Sequence, residues 1–347
     1  MLGSSSQVTA GNEETNSVAV IDGATNTVTA TVAAGYMPVC VVVNPVTNKV
    51  YVVNVGPDIV TVIDGVTNAP TMVKAGKKPF VLAVNQATNK FYVTDPLRDT
   101  VTVLDGVTNT VTATVSTGSY PLGLAVNPVT NRVYVVNRDS RSVAVIDGAT
   151  NATVMVSIGS DASSVEVNPV TNKIFVANTG SDNVTVIDGA TNATMTVNTG
   201  RNPSGLAVNP VTNKIYVANR GSDNVTVIDG ATNATTTVSA GHYPGPVEVN
   251  PKTNKIYVVN SGSDNVTVID GATNSTTTIK TGRNPGDVVV NPVTNKIYVT
   301  NTESKNVTVI DGVTNTKVTV STRFRPDGLA LNTLTNKIYV VKAAIVE

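Results

Sequence analysis

Residues 203–241 read P-S-G-L-A-V-N-P-V-T-N-K-I-Y-V-A-N-R-G-S-D-N-V-T-V-I-D-G-A-T-N-A-T-T-T-V-S-A-G. Four β-prone runs lie in this stretch: Leu206–Val208, Lys214–Asn219, Asn224–Asp229 and Thr235–Val238. Val, Ile, Thr and Tyr dominate them, side chains that suit a pleated, packed surface. Turn signals separate the runs: N-P-V-T-N, R-G-S-D, D-G-A-T-N and then S-A-G-H-Y-P. No apolar stripe of helical period is present. The stretch is therefore four short strands, A to D.

The same pattern fills the chain. The Asp of Ile/Leu-Asp-Gly stands at 22, 64, 105, 147, 188, 229, 270 and 311, in steps of 41 or 42. The segment N-P-V-T-N-K, with small variations, begins at Asn44, Asn85, Asn127, Asn168, Asn209, Asn250, Asn291 and Asn332. A period of about 41 with four strands per unit fits a β-propeller blade, which buries its faces only by stacking on neighbours. The chain starts with a C–D hairpin, Ser17 to Val32, and ends with an A–B hairpin, Pro326 to Val341. Joining these two makes an eighth blade and removes sheet edges. The expected fold is all-β: a closed eight-bladed propeller over 17–347, with residues 1–16 a flexible leader. A seven-bladed ring with a spare unit is the alternative.

The second strands begin at Tyr51, Tyr92, Tyr134, Phe175, Tyr216, Tyr257, Tyr298 and Tyr339, with Tyr-Val-Thr-Asn itself at Tyr298–Asn301. This resembles the YVTN-repeat family of β-propellers. The resemblance spans nearly the whole chain. It implies a surface-layer or secreted protein whose propeller acts as a binding module; lactonases and haem-binding domains are among related propellers. The leader has no basic or apolar signal region, so an extracellular or cell-surface chain would have lost its signal or be part of a longer precursor.

Composition removes other classes. The chain of 347 residues carries 24 basic and 24 acidic side chains, so no cationic excess is available to hold a nucleic acid. No apolar run reaches the roughly 18 residues of a membrane span. One Cys, Cys40, rules out an intrachain disulfide, and one His, His242, rules out a multi-His metal centre. No nucleophile elbow, P-loop or dinucleotide fingerprint occurs.

A register argument accounts for the repeated charges. Pairing Asn219 with Asn224 across the B–C hairpin also places Lys214 opposite Asp229, and the same holds in every unit, through to Lys337 opposite Asp22. Opposite charges so placed form structural cross-strand pairs. The Asp can also accept turn hydrogen bonds.

Function is expected where the units differ. The A–B and C–D turns, on one face, barely change; the B–C and D–A loops, on the other, vary. That face gathers Lys77, Lys78, Arg201, Arg283 and Arg325 with Tyr120, His242, Tyr243 and Phe324, residue types that anchor interfaces. The expected partner there is a protein or a glycan, and nucleic acid is disfavoured because as many acidic groups share the loops. In the column two residues before the Asn of strand A, six side chains are apolar and two are Glu166 and Glu248. With Asp287 these could place a divalent cation or polar ligand in the axial channel. The expected function is a non-catalytic interaction scaffold with no catalytic residues and no resident cofactor. The alternative is a lactonase-like hydrolase with its site at the channel mouth.

Overall fold

The computed structural model describes residues 16–342, in 32 strands that form eight four-stranded antiparallel sheets. One 3-10 turn, Thr179–Ser181, is the only helical element among the described residues. In the type unit the strands are Pro203–Asn209, Lys214–Asn219, Asn224–Asp229 and Thr235–Ser239. The inner strands of blades 1 to 8 are Pro38–Asn44, Leu82–Asn85, Pro121–Asn127, Ala162–Asn168, Pro203–Asn209, Pro244–Asn250, Pro285–Asn291 and Pro326–Asn332. Each touches the next, and the eighth touches the first. The ring is closed with eight blades, which excludes the seven-bladed alternative.

Closure follows the expected route. Ser17–Asp22 pairs antiparallel with Lys337–Lys342, with Asp22 opposite Lys337. Blade 8 thus runs Thr27–Ala33, Ser17–Asp22, Lys337–Lys342, Pro326–Asn332 from rim to axis. Of the expected leader only Asn16 is described; its carbonyl and side chain accept hydrogen bonds from the Ala34 and Met37 N–H groups (2.8 and 3.4 Å). The rest, with residues 343–347, lies outside the described residues.

The core is not inside the blades but between them. Strands B are buried on both faces, whereas strands D show four of five residues to solvent. Each of the eight apolar clusters joins one blade to its neighbour. Blade 5 gives Tyr216, Val225, Val227 and Val238 to a cluster completed by Val247, Ile256, Val258 and Ile269 of blade 6. Residues of Ser17–Ala33 enter two clusters: Val18, Val20 and Val32 against blade 1, and Ala19 and Ile21 against blade 7.

The repeated Lys and Asp are opposite each other as expected, in all eight blades. They do not form the expected charge pairs. The ion pairs among the described residues are Arg138–Asp161 and His242–Asp223. Each Lys instead crosses to the next blade. Lys214 Nζ donates to the Gly271 carbonyl (2.8 Å), Lys296 to Gly23 (2.6 Å) and Lys337 to Gly65 (2.7 Å). The other lysines do the same, and Arg132 donates to Gly189. A second circuit runs beside it: Asn209 Nδ2 donates to Asn254 Oδ1 (2.9 Å), and Asn332 to Asn48 (2.7 Å). The correction has a physical reason. Asp229 is already engaged, accepting from the Ala231 and Thr232 N–H groups and the Thr232 hydroxyl (2.9–3.0 Å). These bonds hold its carboxyl below the usual range, led by the Thr232 N–H. The Lys is therefore free to satisfy a carbonyl that the next turn leaves open.

This also explains the invariant Gly. A Cβ on Gly230 would lie 2.4 Å from Asn213 Oδ1 and 2.6 Å from the Asn213 carbonyl oxygen, where Gly230 N–H donates at 2.8 Å. Close approach of two turns, not a positive φ, demands glycine here. The positive φ falls on Asn213 (53°) and Asn233 (60°), residues that tolerate it.

Two outcomes follow. A double-mutant cycle between Lys214 and Asp229 should give a coupling below ~0.5 kcal/mol, as for an exposed cross-strand pair that makes no ion-pair contact, while Lys214→Met alone lowers stability by ~1–2 kcal/mol. Deleting residues 17–33 removes at least five buried apolar side chains worth ~1.5–3 kcal/mol each, comparable to a domain's whole stability. A deletion variant that keeps the parental melting temperature would contradict ring closure.

Candidate functional site

Both faces of the ring are built from turns, but they differ in how much is left over. On the A–B and C–D side the recurring Lys bonds the next blade, the recurring Asp bonds its own turn and the Asn of the A–B turns pair between blades, while the side-chain oxygen of the C–D-turn Asn, as in Asn233, is buried without a partner. On the other side each D–A crossover is clamped by a loop. Asp223 Oδ1 accepts from the Tyr243 N–H (3.0 Å); Asp58, Asp99, Asp182 and Asp264 do the same for Lys78, Tyr120, Asn202 and Asn284. The clamped residues sit at positive φ, between 50° and 58°. Five aspartates of this face are thus turned to backbone donors, while Asp161 pairs with Arg138 and the Asp327 carboxyl has no hydrogen-bond partner among the described residues. Lys77, Lys78, Arg201, Arg283 and Arg325 are exposed, with no side-chain hydrogen bond or ion pair among the described residues.

These cations are spread around the rim, on different crossovers, and do not converge. Tyr120 is half-buried. His242 is exposed, with Nδ1 2.8 Å from Asp223 Oδ2. Tyr243 is 56% exposed, with the Arg220 guanidinium 5.5 Å over its ring. Phe324 corrects the expectation: it is 9% exposed and packs with Ile21, Val307 and Leu329, so it presents nothing to a partner. The reason is local. Arg323 stands where the other crossovers tend to have Gly, and it takes the positive φ (63°) that Tyr243 takes in its own loop. The turn shifts and swings the aromatic ring inward.

Three expected residues do meet. Tyr243, Glu248 and Asp287 line one cavity of about 670 Å³ at the channel mouth on this face. Two features of strands A open it. In blades 1 to 3 the two positions after the crossover's Pro (Pro38, Pro79 and Pro121) hold Val39 and Cys40, Phe80 and Val81, Leu122 and Gly123, those of blade 2 lying just ahead of the strand. In blades 4 to 8 they hold Ser163 and Ser164, Ser204 and Gly205, Gly245 and Pro246, Gly286 and Asp287, Asp327 and Gly328. Side-chain volume is missing on one side of the mouth. The ladder also opens wider there. In blade 5 pairing resumes two residues after Pro203, but in blades 6, 7 and 8 only at Val247, Val288 and Leu329, three residues on. Such bulges cluster beside sites. Arg220 and Asp327 belong to the mixed charges that the sequence places on the variable loops, whereas Ser163, Gly245 and Asn284 carry no signal of their own; the signal for them is the two neighbouring columns.

Asp287 bridges blades 7 and 8, accepting from its neighbour Val288 N–H and from Leu329 N–H (both 2.8 Å). Glu248 lines this cavity and also a smaller one of about 160 Å³ toward the opposite face, which Glu166 shares. The Glu248 carboxyl has no hydrogen-bond partner among the described residues, whereas Glu166 accepts from the Val167 N–H. Both are half-buried by area, since water reaches them along the channel, yet the ring surrounds them. Burial pushes Glu166 up to about 7. Burial, then repulsion from Glu166 and Asp287, pushes Glu248 up to about 8. Burial raises Asp287 to about 6 against the two N–H bonds that lower it. Among the described residues no three His, Cys, Asp or Glu side chains converge as a metal would need. Burial also pushes the Cys40 thiol up to about 11, so it is not a nucleophile at neutral pH.

A family model described as "Lactonase, 7-bladed beta-propeller" matches residues 167–276. No curated protein matches the sequence. Solved structures do. Hydrazine synthase of Kuenenia stuttgartiensis aligns with a TM-score of 0.64 and 21% identity, over 80% of this chain and 96% of that one. A protein from Desulfotomaculum acetoxidans DSM 771, titled functionally unknown, aligns at 0.63 and 14%, over 78% and 94%. Dihydro-heme d1 dehydrogenase NirN, in complex with DHE, aligns at 0.71 and 13%, over 87% and 72%. At these identities the likeness is one of fold, and the chain is a β-propeller.

The carboxyls set the pH dependence of stability. Glu166, Glu248 and Asp287 have folded values above their unfolded ones, so the folded state holds extra protons and stability falls as pH rises from about 4.5 to about 8. The turn Asp groups are lowered, so their contribution is present above 3.8 and is lost as pH falls further. The melting temperature should peak near pH 4.5. Glu248→Gln should flatten the alkaline limb, gaining on the order of 2 kcal/mol at pH 8 after allowance for channel water; an unchanged limb would refute the assignment.

Proposed function

We propose that this propeller is a non-catalytic interaction scaffold of the secreted or cell-surface kind, and that its partner, a protein or a glycan, docks on the variable loop face. The observation that carries this is sidedness. On one face the repeated Lys side chains bond the next blade and the repeated Asp side chains bond their own turns. On the other, five aspartates hold backbone N–H groups, while Lys77, Lys78, Arg201, Arg283 and Arg325 have no side-chain partner among the described residues and Tyr243 is exposed under Arg220. Arg and Tyr are the residues from which interfaces draw most of their energy. The repeat resemblance of the Tyr-Val-x-Asn strands supports a YVTN-type surface protein. No helix among the described residues is long and apolar enough to cross a membrane.

One observation favours a second reading, a lactonase-like hydrolase. The family match covers Glu248, and a carboxyl raised to about 8 is suited to general acid work. Hydrolysis of lactones by the purified chain, abolished by Glu248→Gln, would establish it.

The scaffold reading predicts a one-sided effect. Reversing charge at Arg201 and Arg283 should cut capture of a partner from the host's envelope or culture fraction at least ten-fold. Lys252→Glu, on the opposite face, should leave it intact. Equal loss from both faces would overturn the proposal.

A further inference from the structure

We infer that the cavity at the mouth of the channel, over blades 4 to 8, is a saccharide site that takes one or two neutral sugar rings. The inference rests on the reading that the variable face is the binding face, and it names the ligand class of one part of that face.

The volume of about 670 Å³ is that of a small-molecule pocket. Six lining side chains have no hydrogen-bond partner among the described residues: Ser164, Arg220, Tyr243, Glu248, Asn284 and Asp327. They supply donors and acceptors together. An anion would meet Asp287 and Asp327 against a single guanidinium. A metal ion lacks a third convergent ligand, and a bare cation would leave Arg220 and the Asn284 amide unmatched. A neutral polyol matches the set, because each sugar hydroxyl both donates and accepts. Carboxylates accept from hydroxyls; Arg220 and Asn284 donate to them. Tyr243, Pro246 and Val247 offer apolar surface to the C–H face of a ring. Burial keeps Glu248 protonated at neutral pH, so it joins as a donor and adds no charge.

The repeat supplies a clean test position. A Cβ on Gly245 would meet nothing within 4 Å, and its φ is outside the left-handed region. Gly245→Leu should therefore fill the cavity without strain.

The full chain would be probed by saturation-transfer NMR with glucose, galactose, mannose, N-acetylglucosamine and their disaccharides. At least one should receive transfer at millimolar concentration. Gly245→Leu should abolish that signal, and Asn284→Gly, which keeps the positive φ of 52° accessible, and Asp327→Asn should weaken binding at least ten-fold, with the fold retained. If Gly245→Leu does not fold, Asn284→Gly decides alone. No transfer to any sugar, equal binding by Gly245→Leu, or binding of putrescine or inorganic phosphate in place of sugar would overturn the inference. Arg201 and Arg283 lie outside the cavity, so partner docking and sugar binding fail separately.

Discussion

The structure depends on a bond between neighbours rather than within units. A blade's strand B is apolar on both faces, so no blade is stable alone; burial is completed only when the next blade stacks on it. The Lys–Gly and Asn–Asn hydrogen bonds fix how that stacking occurs. They run in one direction around the axis, and each needs a partner ahead of it. A cycle of this kind has no satisfactory end except closure, and closure is what the N-terminal hairpin supplies. Ser17–Ala33 completes two apolar clusters, Asp22 stands opposite Lys337, and Lys296 reaches the Gly23 carbonyl.

That constraint divides the molecule. One face carries the repeated Lys–Gly and Asn–Asn bonds between blades, and a change there is felt by two blades. The other face is held by aspartates that bind backbone N–H groups, which leaves the remaining side chains free to differ. The difference is not evenly spread. Blades 1 to 3 fill their part of the channel mouth with Val39, Phe80 and Leu122, and blades 4 to 8 leave theirs open with Ser, Gly and Asp. A ring of near-identical units thereby acquires a polar side and an apolar side.

The channel carboxyls are the cost of that polarity. Glu166, Glu248 and Asp287 are enclosed by a low-charge ring and shifted upward together. Asp287 is steadied by donors from two blades, while Glu248 faces two cavities unpartnered. Stability and site chemistry are thus linked through the same groups.

Sequence alone determined the strand count, the register, the eight-blade closure and the two unequal faces, because period, turn residues and alternation are local and repeat eight times. It also picked out Glu166 and Glu248 as departures in a column, with Asp287 beside them. Tertiary structure decided the rest. Lys214 faces Asp229 in the ladder, yet its Nζ bonds Gly271 of another blade, since the Asp is already engaged by three donors of its own turn. Phe324 resembles its neighbours on the crossovers, yet one non-glycine residue before it redirects the chain and buries it. The cavity exists because inner strands from five blades converge on one axis and three of them unpair a residue longer, and convergence of segments some forty residues apart is a property of packing, not of the local chain.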